Sequence, residues 1–163
     1  MSRLGEPNSA WRGDRGAPDA EVRAAMEQAA TGDHTAYLRA VATLCTTRLL
    51  LPIGPADDGD LSAILLESAS GSKAVIVFTG ADLFGAWAPG ARPVPCTLDD
   101  VAATAIETGS KAVVIDCNGE HPLVLEADLL QALAQGRRLV ELAEGGFGWM
   151  YVQHDSPPEA RHP

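Results

Sequence analysis

Cys117 and His121 flank Asn118-Gly119, with Asp116 directly before the thiol. Thiolate chemistry needs a nearby imidazole or similar base, so Asp116, Cys117 and His121 form a corner with the residue types for nucleophilic catalysis or small-ligand sensing. As a metal site, Cys117 and His121 are one ligand short of the three that a catalytic zinc requires, and Pro122 restricts the turn. A packed thiol at a strand end beside an exposed loop histidine accounts for the same residues without chemistry.

Other catalytic templates fail at identifiable positions. Gly80 and Gly85 have the spacing of a phosphate-binding loop, but Ala86 stands where its lysine must be. Gly146-Phe147-Gly148 opens like a dinucleotide fingerprint, yet Tyr151 occupies the third glycine position. Asp57, Asp58 and Asp60 around Gly59 suggest calcium, but the loop lacks the acid and glycine positions of an EF-hand and reads as a solvated loop. His34 falls in the first turn of an expected helix, and His154 and His162 fall near the end of the chain. Asp99-Asp100, Glu126 and Asp128 suit helix starts, where they complement the macrodipole. No catalytic residue, cofactor or metal is expected from these patterns.

The remaining candidates are aromatic. The chain has 3 Trp, 2 Tyr and 3 Phe, and Phe147, Trp149 and Tyr151 alternate, so on a strand they share one face. They either cover the core or present an anchor strip to a partner, since Trp and Tyr dominate binding hot spots. Trp87-Ala88-Pro89 followed by Arg92-Pro93 is a second candidate surface, a proline-stiffened corner with a cation close to an indole. There the core suits Trp87 and the surface suits Arg92.

These residues sit in an acidic chain. Its 163 residues hold 12 Lys and Arg against 22 Asp and Glu, a formal charge of −10, with 46% hydrophobic residues. That is one domain's worth of sequence with an ordinary soluble composition. The charge disfavours phosphate backbones and anionic lipid surfaces, so no nucleic acid and no membrane are expected as partners. The eight basic residues of the central span, Arg23, Arg39, Arg48, Lys73, Arg92, Lys111, Arg137 and Arg138, would have to converge on one face to reverse this. Residues 1–18 carry a net +1 and residues 154–163 a net −1. Both ends are rich in Gly, Pro and polar residues and are expected to be disordered tails around a single domain at 19–153. Cys45, Cys96 and Cys117 make an odd set without CxxC and read as reduced, packed thiols. Without a signal peptide or a long apolar run, the expected compartment is the cytoplasm.

The positioning elements follow from periodicity and punctuation. Asp19 and Asp33 can cap two successive helices that carry Val22, Met26 and Ala29, then Tyr37, Leu38, Val41 and Leu44, an αα-hairpin. Arg48–Ile53 reads as a strand, and Leu61–Ser68 pairs with Lys73–Thr79 as a hairpin. The uninterrupted Val75–Phe78 marks the second of these as central. Thr79 and Asp82 have the form of a capping box for a helix through Phe84 and Trp87. Pro93–Cys96 suits an edge strand, and Thr97 opens an amphipathic helix with Leu98, Val101, Ala102, Ala105 and Ile106 that Gly109 stops. Lys111–Cys117 and Pro122–Glu126 pair across Asn118-Gly119. A leucine-rich helix follows, and Leu139–Leu142 either extends it or forms a strand leading into 145–152. The resulting fold class is α+β, a mixed or antiparallel sheet of about five strands with helices packed on it, preceded by the αα-hairpin.

Several blocks together carry a resemblance. Thr47-Arg48-Leu49-Leu50-Leu51-Pro52-Ile53, then Val77-Phe78-Thr79-Gly80-Ala81-Asp82-Leu83-Phe84-Gly85-Ala86-Trp87, then Ala91-Arg92-Pro93-Val94-Pro95 resemble the SseB N-terminal domain family in its actinobacterial form. Residues 111–135 continue the likeness, which spans about residues 20–136. The resemblance implies an α/β-layered domain with no established enzymatic activity and no transferable catalytic residue. The expectation is a cytoplasmic, non-enzymatic module that binds an unknown protein partner or itself. The alternative is a sensor or enzyme built on the Asp116, Cys117, His121 corner.

Overall fold

A computed structural model describes residues 13–55 and 59–151. Two helices lead, α1 (Ala20–Ala29) and α2 (His34–Leu44). The Asp19 carboxylate accepts from the Glu21 and Val22 amides, and that of Asp33 accepts from the Ala36 amide, each satisfying donors the first turn leaves open. Their apolar stripes, Val22, Met26 and Ala29 on one and Ala40, Val41 and Leu44 on the other, are buried in the main core.

Strand β1 (Leu49–Pro55) lies between β2 (Leu61–Ala63) and β5 (Arg92–Cys96), antiparallel to both. Pro52 of the central strand β1 pairs with Pro93 of β5, whose other flank is the sheet edge, where proline's missing amide hydrogen breaks no ladder. The second sheet runs β3 (Leu65–Glu67), β4 (Lys73–Val77), β6 (Ala112–Ile115), β7 (Leu123–Glu126). Its inner pair, β4 and β6, is parallel and the outer pairings are antiparallel, which makes the sheet mixed. Helices α3 (Ala81–Trp87) and α4 (Leu98–Thr108) lie on the crossover between β4 and β6. Val75, Ile76, Val77 and Phe78 are fully buried, as a strand covered on both faces requires. Reciprocal hydrogen bonds between Leu50 and Phe78, 2.8 and 2.9 Å, join the two sheets. After α5 (Ala127–Ala134), β8 (Arg137–Glu141) and β9 (Phe147–Tyr151) form a separate two-stranded hairpin.

The α+β class, the mixed sheet and the leading helix pair are those expected. Four details differ, and one open alternative is resolved. The described residues hold nine strands in three sheets rather than about five in one. Leu61–Ser68 is two strands, not one: the chain changes partner at Ile64, whose amide bonds to Pro52 O, so β2 serves β1 and β3 serves β4. Of the two readings left open for Leu139–Leu142, the strand holds through Glu141, in β8, because Gly136 takes φ +85° and ends α5. The expected box at Thr79 and Asp82 does not form: Gly80 occupies the cap position without a side-chain bond, and both side chains are engaged elsewhere. Ile106, expected on the buried stripe of α4, is half exposed at 50%, so the stripe ends at Ala105.

Residues 14–17, placed in the leading tail by composition, are bonded to the body, as described below. Asp57, Asp58, Val152, Gln153, His154 and His162, with residues 1–12 and 154–163, lie outside the described residues. Among the described residues, no helix is long and apolar enough to cross a membrane.

Candidate functional site

The parallel strands β4 and β6 end side by side, and the residues just past them, Thr79 and Asp116, are buried polar groups at 2% and 3% exposure. Crevices beyond the carboxyl ends of parallel strands are the usual ligand positions of such sheets. The Asp116 carboxylate accepts from the Thr79 amide at 2.8 Å and the Thr79 hydroxyl at 2.6 Å. Asp116 takes φ +55°, a left-handed conformation that Asp tolerates better than most residues, and this turns the chain toward Asn118-Gly119. Asn118 Nδ2 donates to Leu83 O at 3.0 Å and ties that turn to α3.

Arg23 of α1 closes the cluster. Its Nε donates to the Thr79 hydroxyl at 3.1 Å, and Nη1 and Nη2 each reach the Asp82 carboxylate at 2.7 Å. The Arg23 guanidinium holds the Asp82 carboxyl down at about 2. A second arginine reaches the other side of Thr79. Arg48 donates to Thr79 O at 2.9 Å, to Ala17 O at 2.7 Å, and to the Asp14 carboxylate through Nε at 2.6 Å and Nη2 at 3.3 Å. Gly16 O accepts from the Ala81 amide at 2.6 Å. Residues 14–17 thus form a strap fixed over the strand end.

Beside this cluster lies a cavity of about 620 Å³, bordered by Arg23, Glu27, Leu83, Asp116, Glu120 and His121 among others. The corner expected from sequence is therefore divided. Asp116 and His121 face the cavity, whereas Cys117 packs partly buried against the second core cluster of Leu50, Ile76, Phe78 and Phe84. Burial pushes the Cys117 thiol up, the direction opposite to that of an activated nucleophile. No hydrogen bond joins Cys117 to His121 among the described residues; the His121 ring lies 3.9 Å from Glu120. Nor do any three His, Cys, Asp or Glu side chains there assemble as a metal set. Arg23 and Glu27 of the cavity wall were missed in the sequence. Their spacing of four on α1 is the ordinary pattern of a solvated helix face.

The aromatic candidates also separate. Trp87 is half-buried with its ring 5.8 Å from Phe78, so it belongs to the second core cluster. Arg92 is exposed on β5. The cation–π contact among the described residues is not between these two but between Arg137 and Tyr151, at 5.1 Å. On β9, Phe147 packs against the main core, and the strand then leaves it: Trp149 is 40% exposed, Met150 57% and Tyr151 65%. The opposite strand explains this. Leu139 pairs with Trp149 and is buried, while Arg137 pairs with Tyr151 and donates to its hydroxyl at 2.9 and 3.2 Å.

These features define a small α+β domain whose polar strand-end cluster is satisfied internally and whose terminal hairpin presents aromatic side chains outward. Residues 22–132 match the SseB protein N-terminal domain, and the chain belongs to that family. The β8–β9 hairpin lies beyond the matched segment. No curated protein matches the chain.

Proposed function

We propose that this domain is a non-enzymatic cytoplasmic interaction or regulatory module that engages a protein partner, or a second copy of itself, through the β8–β9 hairpin. The observation that carries this reading is the run Trp149, Met150, Tyr151, three successive large side chains exposed at 40%, 57% and 65%. Exposed aromatic groups of this kind supply binding hot spots. Arg23, Arg39 and Arg48 have carboxylate partners in Asp82, Glu141 and Asp14, so three of the eight central cations are neutralised locally. This favours protein over nucleic acid. Replacing Trp149 and Tyr151 with Ala is expected to abolish partner capture or self-association while shifting the thermal melt by a few degrees at most. A large loss of folding would assign the rings to the core instead.

The cavity beside Asp116 and His121 supports a second reading, a small-molecule sensor or enzyme at that corner. Thiol-reactivity profiling separates the two. The interaction reading expects Cys117 to react slowly at neutral pH, and Cys45 and Cys96 only on unfolding, since burial raises all three thiols. A fast, low-pKa Cys117 would favour the corner.

A further inference from the structure

The β8–β9 hairpin has one covered side and one open side. Strand β8 packs against α2 and α5, and β9 is paired with β8 alone among the described residues. Alternate backbone N–H and C=O groups of β9 therefore face away from any strand, the arrangement that accepts an added strand. Natural edges of this kind are usually blunted by charge or proline. The sequence Phe147-Gly148-Trp149-Met150-Tyr151 contains neither.

The charge beside that edge is cationic in an acidic protein. Arg137 has no carboxylate partner among the described residues and is the cation at this edge; Arg138 alternates to the other face, near the buried Cys45 thiol, with its Nε buried without a hydrogen-bond acceptor. Of the hairpin's own acids, Glu141 is held by Arg39 at 2.7 Å. Glu144 sits in the connecting turn, at the opposite end from the Arg137–Tyr151 pair. The Arg137 side chain reaches across to Tyr151 of β9, the strand at the open edge, with its guanidinium 5.1 Å from the ring centroid and bonded to the ring hydroxyl. An added strand would run about 4.8 Å beyond β9. A carboxylate on it opposite Tyr151 comes within reach of Arg137, and an apolar side chain opposite Trp149 covers the indole.

Resting on the interaction reading above, we propose that the partner is an extended, acidic peptide segment that adds as a strand along β9, with Arg137 selecting a carboxylate opposite Tyr151. A second copy of this chain would bring another −10 body to the interface, and a nucleic acid has no backbone amides to match the edge.

The test pans a displayed library of random peptides of about ten residues against the full chain, with the Trp149 and Tyr151 double alanine variant as counter-selection. Selected peptides should be enriched in Asp or Glu among β-branched residues. N-methylation of alternate amides on the side that pairs should weaken binding by tenfold or more, and Arg137→Glu should shift the preference from acidic to basic residues. Circular dichroism confirms that each variant is folded. Selection of basic or uncharged peptides, binding indifferent to N-methylation, failure to select any peptide, or tighter binding of a thymidine oligonucleotide would each overturn the proposal. If the double alanine variant nonetheless loses partner capture, the interaction reading stands and only the acidic-strand reading falls.

Discussion

Thr79 is where residue-scale chemistry converges: its amide and hydroxyl donate to Asp116, its hydroxyl accepts from Arg23, and its carbonyl accepts from Arg48. Asp116 is the acceptor that makes this possible. Replacing it with Ala leaves the buried Thr79 amide and hydroxyl without that acceptor, which costs about 1–3 kcal/mol. Asp116→Asn keeps one carbonyl oxygen and a residue type at ease with positive φ, so it should cost less. Urea midpoints of the two variants check the order, and equal losses would show that one retained oxygen does not stand in for the carboxylate. Thr79, Asp82 and Asp116 were each visible in the sequence, but their partners were not. A Thr-x-x-Asp pattern specifies a local cap, whereas the folded chain brings Arg23 and Asp116, from 56 and 37 residues away, to the same hydroxyl. A buried carboxylate and a bidentate arginine outcompete one amide of a short helix.

At the scale of elements, what was legible was local. The caps at Asp19, Asp33 and Thr97, the stop at Gly109 with φ +70°, and the hairpin around Asn118-Gly119 each depend on a few adjacent residues, and each appears where expected. What escaped depends on a distant partner: the exchange of strands at Ile64, and the strap of residues 14–17, whose composition is that of a tail. The strap is held chiefly by Arg48, whose side chain is only 11% exposed. Arg48→Ala removes the donors to Asp14, Ala17 and Thr79 together. Arg15 is exposed but Gly16 is buried, so trypsin should cleave after Arg15 slowly in the parent chain. In the variant, cleavage should accelerate by about tenfold or more, because charge-assisted hydrogen bonds worth about 1.5–3 kcal/mol no longer oppose opening. An unchanged cleavage rate would mean that the Ala81 to Gly16 bond alone secures the strap.

For the whole molecule, the same ion pairs join distant parts of the chain and set its response to pH. Arg23–Asp82 links α1 to α3, Arg39–Glu141 links α2 to β8, and Arg48–Asp14 links the strap to the turn before β1. The carboxyls of Asp82 and Glu141 are lowered, chiefly by hydrogen bonds from their arginines. For Asp14, burial pushes the carboxyl up, but the Gly16 amide and Arg48 outweigh it and the net shift is also downward. A carboxyl lowered in the folded state contributes stability above its unfolded value, near 4, and loses it as pH falls through the folded value. For Asp82 that window extends down to about 2. Self-repulsion acts oppositely over a higher range. At pH 7 the chain carries −10, and the charge shrinks toward zero near its isoelectric point of about 4.7. Stability should therefore rise modestly from pH 7 to about 5, then fall steeply between about 4 and 2. The triple variant Asp14→Asn, Asp82→Asn, Glu141→Gln should be less stable at pH 6, because its three arginines lose their carboxylates. Its acid limb should also be shallower, because these groups no longer titrate. Urea unfolding followed from pH 7 to pH 2 reads both effects. A monotonic decline from pH 7 in the parent chain would show that the pairs outweigh the net charge throughout, and an unchanged acid slope in the variant would place acid sensitivity in other carboxylates.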